Sequence, residues 1–394
     1  MAYRYAAGMF ILMMFTALLT ACWDKTEMNE LALVSMVGVD IDPDSGKKTV
    51  YYQIINPLSG TSARGTPGGE QAPVYTYEIS GSSFGEIKST IYKMLPRKLF
   101  IAHSKILLVS RRAARQGVRD IVNFIEMQPN GRSSVPMLII DGPISQVMKT
   151  FTPLERVPSD AIDSRLKLLI RNSLLTGKHI KVNDVIERME KSDTIVLPMI
   201  AGTTEKPSSN SGETAADIDA NQNNFIIGGG AVFRDYRMVG KLNDAQLVWY
   251  HLLNGDRGRH VRRFQVEGKQ VSVELRLVRM KRDVYRQSDQ PVVRIRLDLE
   301  LSTTWANEFV PRSRAEVERL ESNLNRIIED ESLAFYQMTR ERGWDLLRIR
   351  DLLRKQTPNH PYIDQAAKNA KVTIEVATRL LRTGSMNQPY EGTG

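Results

Sequence analysis

Cysteine is almost absent from this sequence of 394 residues, which contains only Cys22. A single thiol cannot form an intramolecular disulfide, a cysteine-rich zinc site or an iron–sulfur cluster. Histidine is also scarce, and no histidine has the spacing to another ligand that is typical of a metal site. The five are His103, His179, His251, His260 and His360. We therefore expect no bound metal, and we expect each histidine to be a structural or surface residue.

Few signatures of catalysis occur in the sequence. It has no phosphate-binding loop with its Lys-Ser/Thr ending. The stretch Gly81-Ser82-Ser83-Phe84-Gly85 has the GxSxG spacing, but Ser82 or Ser83 is predicted to cap a helix there, and we do not assign a nucleophile elbow. The run Gly228-Gly229-Gly230 does not fit GxGxxG, and it lies inside an apolar strand pattern. Glycine at such a place typically marks a bulge or a close backbone approach. No residue pattern argues for an enzyme, and we predict that the protein is not one.

Long apolar runs are missing after the first 22 residues. Within that segment Arg4 is the only charged residue, and the apolar run over 6–21 is shorter than the roughly 20 residues of a permanent transmembrane helix. Such a run is typical of the hydrophobic region of a cleaved signal peptide, here residues 1–21. It ends in Leu19-Thr20-Ala21-Cys22, which resembles the bacterial lipobox. We therefore predict that Cys22 is the lipidation site.

Two other interpretations of this segment stay open. It could be a short uncleaved anchor with an incidental cysteine, or an ordinary signal peptide. Ordinary cleavage, however, favours a small residue where Leu19 stands. The lipobox is favoured because the single cysteine falls where lipidation needs a thiol nucleophile. A diacylglycerol on Cys22, with or without a further N-acyl chain, would anchor the protein stably. A single acyl chain gives only marginal membrane binding, whereas two acyl chains give stable anchoring.

The remaining chain has ordinary globular composition, with 42% apolar and 25% charged residues. Over 22–202, strand and helix patterns alternate, including a strand at 99–109 and a helix at 112–127. This alternation predicts an α/β region of one or two subdomains around a mixed or parallel sheet. Residues 203–223 have almost no large apolar side chain and are predicted to form a linker or a long loop.

A C-terminal α+β domain is predicted over 224–387. It begins with an apparent hairpin that contains the glycine run. Two alternating strands at 270–280 and 292–302 predict an antiparallel sheet, followed by a long helix near 314–342. A helix at 344–355 and a strand at 371–384 complete the pattern. The fold class is therefore α+β: a multidomain ectodomain with mixed and antiparallel sheets packed against helices.

Positive charge is concentrated in one segment. The whole chain has a net charge of +9, and residues 255–296 hold 12 Lys and Arg against 5 Asp and Glu. A basic face there would attract anionic lipid or an acidic partner, at about 1 kcal/mol per charge near the surface. A solvated strand face is the slightly favoured alternative. The candidate residues are Arg257, Arg259, Arg262, Arg263, Lys281 and Arg282. We expect no nucleic-acid partner, since no binding motif is present.

Short motifs follow the lipobox in order along the chain. They are Cys22-Trp23-Asp24, Asn29-Glu30-Leu31-Ala32, Gly38-Val39-Asp40, Pro96-Arg97 with Leu99-Phe100 and His103, residues 181–200, Gly230-Ala231-Val232-Phe233, Val239-Gly240 and Arg382-Thr383-Gly384. As an ordered set, they resemble the Ger(x)C family of spore germination lipoproteins, the C subunits of nutrient germinant receptors. The stretches 203–223 and 344–370 match this family least.

This resemblance implies a subunit without catalytic residues and without a cofactor beyond the acyl chains on Cys22. It implies integral-membrane A and B receptor subunits as partners, and a lipid anchor at the outer face of the inner spore membrane. Two rival functions come from other classes. A substrate-binding lipoprotein of a transporter would need a ligand cleft between two lobes, and a lipid-anchored hydrolase would need a nucleophile or a metal site.

Overall fold

The computed structural model describes most of the chain after residue 26. The described residues are 3–5, 8–9, 27–57, 72–128, 131–152, 154–176, 180–191, 193–203, 224–287, 290–303, 311, 313–356 and 363–383. Cys22 and its lipobox residues Leu19, Thr20 and Ala21 lie outside them, as do most of the predicted signal peptide and all but residue 203 of the predicted linker. Among the described residues, no helix is long and apolar enough to cross a membrane.

A mixed sheet forms the first half of the structure. Its strands are β1 (Leu31–Ile41), β2 (Lys48–Ile55), β3 (Val74–Gly81), β4 (Lys98–Phe100), β5 (Ile106–Ser110), β6 (Met137–Ile140), β7 (Ile195–Gly202), β8 (Phe225–Arg234) and β9 (Arg237–Leu242). The spatial order is β3-β2-β1-β5-β6-β7-β8-β9, with β4 beside β1. The strands β1, β5, β6 and β7 are parallel, and antiparallel strands flank them on both sides. The predicted mixed sheet is confirmed.

Helices cover both faces of this sheet. They are α1 (Phe84–Met94), α2 (Arg111–Gln116), α3 (Arg119–Glu126), α4 (Ile144–Met148), α5 (Pro158–Asn172) and α6 (Val182–Glu190). Along β5, Leu107 and Val109 join the core on the side of α1, α2, α3 and α6, whereas Ile106 and Leu108 join the core on the side of α4 and α5. Because both faces are buried, the central strands are almost continuously apolar.

Two predicted elements of this half are divided in the structure. The predicted strand at 99–109 is interrupted by a short 3-10 turn at Ile101–His103, so that β4 and β5 pair separately with β1. The predicted helix at 112–127 consists of α2 and α3. Gly117 separates them with a φ of 136°, which no α-helix contains.

A second, four-stranded sheet forms the other half. Its strands are β10 (Arg259–Val266), β11 (Lys269–Gln287), β12 (Gln290–Thr303) and β13 (Lys371–Thr383), in that spatial order. The first three strands are antiparallel, and β13 runs parallel to β12. The helices of this half are α7 (Asp244–Asn254), α8 (Arg314–Glu341), α9 (Ile349–Gln356) and α10 (Ile363–Asn369). The predicted antiparallel pair, long helix and final strand are confirmed.

Two details of the second half differ from the prediction. Strand β10 had no predicted counterpart. The helix predicted at 344–355 begins only at Ile349, because Gly343 and Arg348 have left-handed backbones with φ of 68° and 56°. The carboxylate of Asp345 then accepts hydrogen bonds from the amides of Ile349 and Arg350 at 2.7 and 3.0 Å, which caps the new helix.

The first sheet continues past the predicted linker. The hairpin β8–β9, which the sequence pattern assigned to the C-terminal domain beginning at 224, pairs antiparallel with β7 from Ile195↔Phe233 to Gly202↔Phe225. Helix α7 follows the hairpin, and its residues Leu247 and Leu252 share one core with β7, β8 and the second sheet. The two halves are therefore joined by a common apolar core.

Candidate functional site

The outward-facing members of the basic segment are mostly in ion pairs. Arg259 lies 3.6 Å from Glu274, and Lys281 lies 3.2 Å from Asp283. Further pairs on the second sheet are Arg276–Glu300, Arg279–Asp298 and Arg296–Glu375, at 2.7, 2.7 and 2.8 Å. Of the six candidate residues, Arg257 and Arg263 are exposed without an acidic partner among the described residues. Alternating opposite charges therefore neutralise much of the predicted basic face.

Arg262 points into the protein. It forms an ion pair with Glu331 of α8, and its guanidinium lies 4.6 Å from the ring centre of Trp249 and 5.5 Å from that of Phe264. A guanidinium over an aromatic face is stabilised by the ring quadrupole. Arg262 thus ties β10 to α7 and α8, and it is not available to a membrane or a partner surface.

Arg282 also points inward, and it lies in a half-enclosed cavity of about 270 Å³ between the two sheets. Its guanidinium donates hydrogen bonds to the carbonyl of Leu253 and to the carbonyl of Leu347, the latter at 3.2 Å. A third bond reaches Oδ1 of Asn254 at 3.2 Å. A cation at the end of α7 is favourable because the last carbonyls of a helix carry partial negative charge. The six candidate basic residues consequently do not form one surface.

The glycine run of β8 forms one wall of this cavity. Gly229 has a φ of +73°, and its amide donates to Oδ1 of Asp244 at 2.6 Å. A Cβ on Gly230 would lie 2.5 Å from Cγ1 of Val196 and 2.8 Å from Cδ2 of Leu247. The run therefore permits a left-handed backbone at Gly229 and a close approach of β7 and α7. Close approach is one of the two roles that the sequence pattern indicated, the other being a bulge.

Three arginines from separate elements line the cavity: Arg188 of α6, Arg282 of β11 and Arg348 before α9. Burial and the charge of Asp256 raise the pKa of the Tyr250 hydroxyl to about 12, whereas the three guanidiniums act in the opposite direction. All three guanidiniums therefore lie within electrostatic range of one hydroxyl.

The acidic groups around the cavity are fewer. Asp256 accepts from Nδ1 of His251 at 2.8 Å and lines the cavity. Asp193 is buried next to the cavity, and its Oδ2 atom lies 3.7 Å from Nη2 of Arg348. The same nitrogen lies 2.8 Å from Asp351. Positive charge thus exceeds negative charge on the cavity wall itself, with three guanidiniums against the one carboxylate of Asp256.

Several buried polar atoms in or beside the cavity have no hydrogen-bond partner in the described part of the chain. They are Thr176 Oγ1, Asp193 Oδ2, Arg282 Nε and Arg348 Nε. Buried polar groups are normally satisfied, so a group of unsatisfied atoms at one place suggests a site that accepts a polar ligand. Sequence patterns did not reveal this cavity, because no local spacing links its three arginines.

Within the described residues, no group of three His, Cys, Asp or Glu side chains could hold a metal ion. Of the histidines, His251 is buried against Asp256, as described above. His260 lies half-buried on β10, where burial and the charge of Arg262 lower its pKa. His179 and His360 lie outside the described residues.

Comparisons with known proteins agree with this architecture. Residues 24–201 match the model of the spore germination protein N-terminal domain, and residues 228–384 match the model named spore germination B3/GerAC like, C-terminal. The chain belongs to the GerAC family of spore germination proteins. The C-terminal match begins within β8, so β9 and most of β8, which pair with the first sheet, fall in the C-terminal family domain.

Two curated relatives in Bacillus subtilis (strain 168) are similar to this GerAC-family chain. Spore germination protein KC is 25% identical over 199 residues, which cover 49% of this chain and 47% of that protein. The protein YfkR is 22% identical over 231 residues, covering 59% and 56% respectively. The chain therefore spans about half the length of the curated relatives that it matches.

The crystal structure of the GerBC protein has a similar fold. The TM-score is 0.54 at 14% sequence identity, and the match covers 88% of this chain and 97% of that one. At this identity the likeness concerns the fold alone. It confirms the predicted α+β class, with mixed and antiparallel sheets packed against helices.

Proposed function

We propose that this chain is the C subunit of a spore nutrient germinant receptor, without a catalytic step of its own. The observation that carries the proposal is the ordered match to both family domains, which begins at residue 24, two residues after the lipobox cysteine. In this proposal the chain acts with integral-membrane A and B subunits at the outer face of the inner spore membrane. Its folded part is a scaffold for that assembly.

The acyl chains on Cys22 are the proposed attachment to the membrane. Each buried methylene contributes about 0.8 kcal/mol of partitioning, so two acyl chains are sufficient for stable anchoring. The first structured element of the mixed sheet, β1, begins at Leu31. The short segment between Cys22 and Leu31 would therefore keep the first sheet close to the bilayer surface.

A substrate-binding lipoprotein of a transporter is the second candidate, since the cavity between the two sheets could hold a small solute. The genes beside this one distinguish the two candidates. Neighbouring genes for a large membrane protein and a multi-span transporter-like protein would support the receptor. Genes for a permease and an ATPase would support the transporter.

The anchor is tested by membrane fractionation and by mass spectrometry of the mature N-terminus. We expect wild-type protein to carry a diacylglyceryl thioether on Cys22 and to sediment with the membrane. Cys22→Ala removes the only thiol, so this variant should accumulate as precursor or be lost from the membrane. Thr20→Ser keeps the thiol and a small residue before it, and it should be processed normally. An unmodified Cys22 in the wild-type protein would contradict the anchor.

A further inference from the structure

We propose that the cavity between the two sheets binds a small solute with one carboxylate and a short aliphatic body. This inference concerns a binding site in the folded chain itself. It depends neither on the lipid anchor nor on assembly with other receptor subunits.

The first argument is an uncommitted guanidinium. Arg188 lines the cavity from α6, and within the described residues its side chain has neither a hydrogen bond nor an ion pair. Arginine presents a planar fork of N–H donors that matches the two oxygens of a carboxylate. A guanidinium that faces a cavity without a protein partner is therefore suited to an anionic ligand.

The second argument is the repulsion between the half-buried guanidiniums of Arg282 and Arg348. Burial, followed by the charge of Arg348, lowers the pKa of Arg282 to about 10. The Nε atoms of both side chains are buried without an acceptor among the described residues. A negatively charged group in the cavity would supply acceptors and would offset the repulsion between Arg282 and Arg348. Among the described residues, Asp351 and Asp193 offset part of the charge of Arg348, but neither carboxylate accepts a hydrogen bond from the two Nε atoms.

The backbone of Arg348 adds to this argument. Its φ of 56° is a left-handed conformation that is uncommon for residues other than glycine. Its guanidinium is held in place by Asp351 at 2.8 Å. Such conformations often occur at functional sites, where the surrounding structure maintains them. Here the arrangement fixes a third cation at the cavity wall.

The cavity wall favours a carboxylate over a phosphate. Inorganic phosphate would leave the apolar side of the cavity without a contact, whereas a carboxylate on an aliphatic body would contact both the guanidiniums and the apolar wall. The other walls include Leu175, Val196 and Leu247, which would pack against an aliphatic body. A volume of about 270 Å³ is suited to a small metabolite, since drug-sized ligands occupy about 300–1,000 Å³.

The test uses the full chain in lipid nanodiscs and 4,4,4-trifluorobutyrate as the probe. Binding is measured as broadening of the ¹⁹F NMR line relative to empty nanodiscs. We expect broadening that is reversed by butyrate and retained in the presence of butyramide, the neutral analogue. Inorganic phosphate at the same concentration should not displace the probe.

Arg188→Met is the main variant because, in the part of the chain that the structure describes, it removes no hydrogen bond or ion pair. We expect it to weaken binding at least fivefold without changing the unfolding midpoint. Arg263→Met removes the same charge from the exposed face of β10 and should bind the probe as the wild type does. Thr176→Val is a second cavity variant, which removes the unpartnered hydroxyl with little change of volume, and it should also weaken binding.

Three results would overturn the proposal. The first is that the wild-type protein does not broaden the ¹⁹F NMR line of the probe. The second is binding that is unchanged in both Arg188→Met and Thr176→Val. The third is displacement of the probe by phosphate as effectively as by butyrate, which would contradict the carboxylate class.

Discussion

The indole ring of Trp344 packs directly on the Cα of Gly240. A Cβ atom added to Gly240 would lie 2.0 Å from Cζ2 of the indole and 2.2 Å from its Cη2. Gly240 belongs to β9 at the edge of the first sheet, whereas Trp344 follows α8 and lies in the core of the second half. This contact joins the two halves, and it explains why the motif Val239-Gly240 requires a residue without a side chain.

Gly240→Ala should therefore destabilise the protein. The methyl group would force the indole away from β9, and overpacking of this kind costs about 1–3 kcal/mol. Denaturant unfolding measures the loss. Gly85→Ala is the matched control, because a Cβ there would lie 3.8 Å from its nearest neighbour and alanine favours the helix α1. Trp344→Leu should partly restore the Gly240→Ala variant, and equal stability of Gly240→Ala and wild type would contradict the contact.

Side chains of α8 occupy the free edge of the second sheet. Three of them, one on each successive turn, accept hydrogen bonds from alternate amides of β13. The pairs are Glu321 with Leu380, Asn325 with Thr378 and Glu329 with Val376, at 2.6, 2.9 and 2.8 Å. Four residues of helix rise about 6 Å and two residues of strand about 6.6 Å, so the two spacings match. The helix therefore covers an edge that would otherwise be open to another strand.

Removing one acceptor should weaken this edge. Glu329→Ala leaves the amide of Val376 without its partner, and we expect a loss of about 1–3 kcal/mol of stability. We also expect more self-association, measured by light scattering at raised protein concentration. Glu329→Gln keeps an acceptor oxygen and is the control. If Glu329→Ala matched Glu329→Gln in both measurements, the proposed protection of the edge would be wrong.

Asp40 at the end of β1 is held by a charged network. Its carboxylate accepts from Nε of Arg112 at 2.7 Å and from Oγ of Ser110 at 2.5 Å. Burial opposes ionisation of Asp40, but the hydrogen bonds from Arg112 and Ser110 outweigh it, and its pKa lies below the usual value. Ser110 also accepts from the amide of Ala113, so the network connects β1, β5 and the start of α2.

The stability of the protein should depend on this network in a defined pH range. A carboxyl with a lowered pKa stabilises the fold above its unfolded pKa of about 3.9, and the stabilisation is lost as pH falls through the folded pKa. Asp40→Asn should therefore cost about 1–3 kcal/mol at pH 7. The difference from wild type should shrink below about pH 4. The control is Asp44→Asn, at an exposed turn residue. Urea unfolding at pH 7 and pH 3 measures the stability of both variants and of the wild type. If the stability lost in Asp40→Asn were the same at the two pH values, the proposed role of Asp40 would be wrong.

Sequence patterns predicted those elements whose side chains follow one period. The alternating strand β12 and the repeating apolar face of α8 are of this kind, because burial of one face determines them. Strand β10 escaped prediction because His260 and Arg262 occupy its inward positions and interrupt the apolar alternation. The only local signal was Glu267-Gly268, whose left-handed φ values of 50° and 79° form the turn into β11. A hairpin turn of that type depends on φ, which hydrophobic patterns do not report.

The candidate cavity could not be predicted for a different reason. Its arginines come from α6, β11 and the turn before α9, and only the packing of the two sheets brings them together. The basic segment is the opposite case, because its residues are close in sequence but do not form one surface in the structure. Charge counting placed Arg262 and Arg282 in one patch with Arg257, although the strand geometry turns the first two inward. Burial of a guanidinium depends on its acceptors in distant elements, and these are invisible in a local count.

Nutrient-triggered germination tests the account most directly. The strain should lack every other nutrient germinant receptor, and release of dipicolinate from its spores is the readout. We predict that spores without this chain fail to release dipicolinate when nutrient is added, and that the wild-type gene restores release. The Cys22→Ala gene should restore little of it. Normal release from spores that lack the chain would contradict the proposal that it is a germinant receptor subunit.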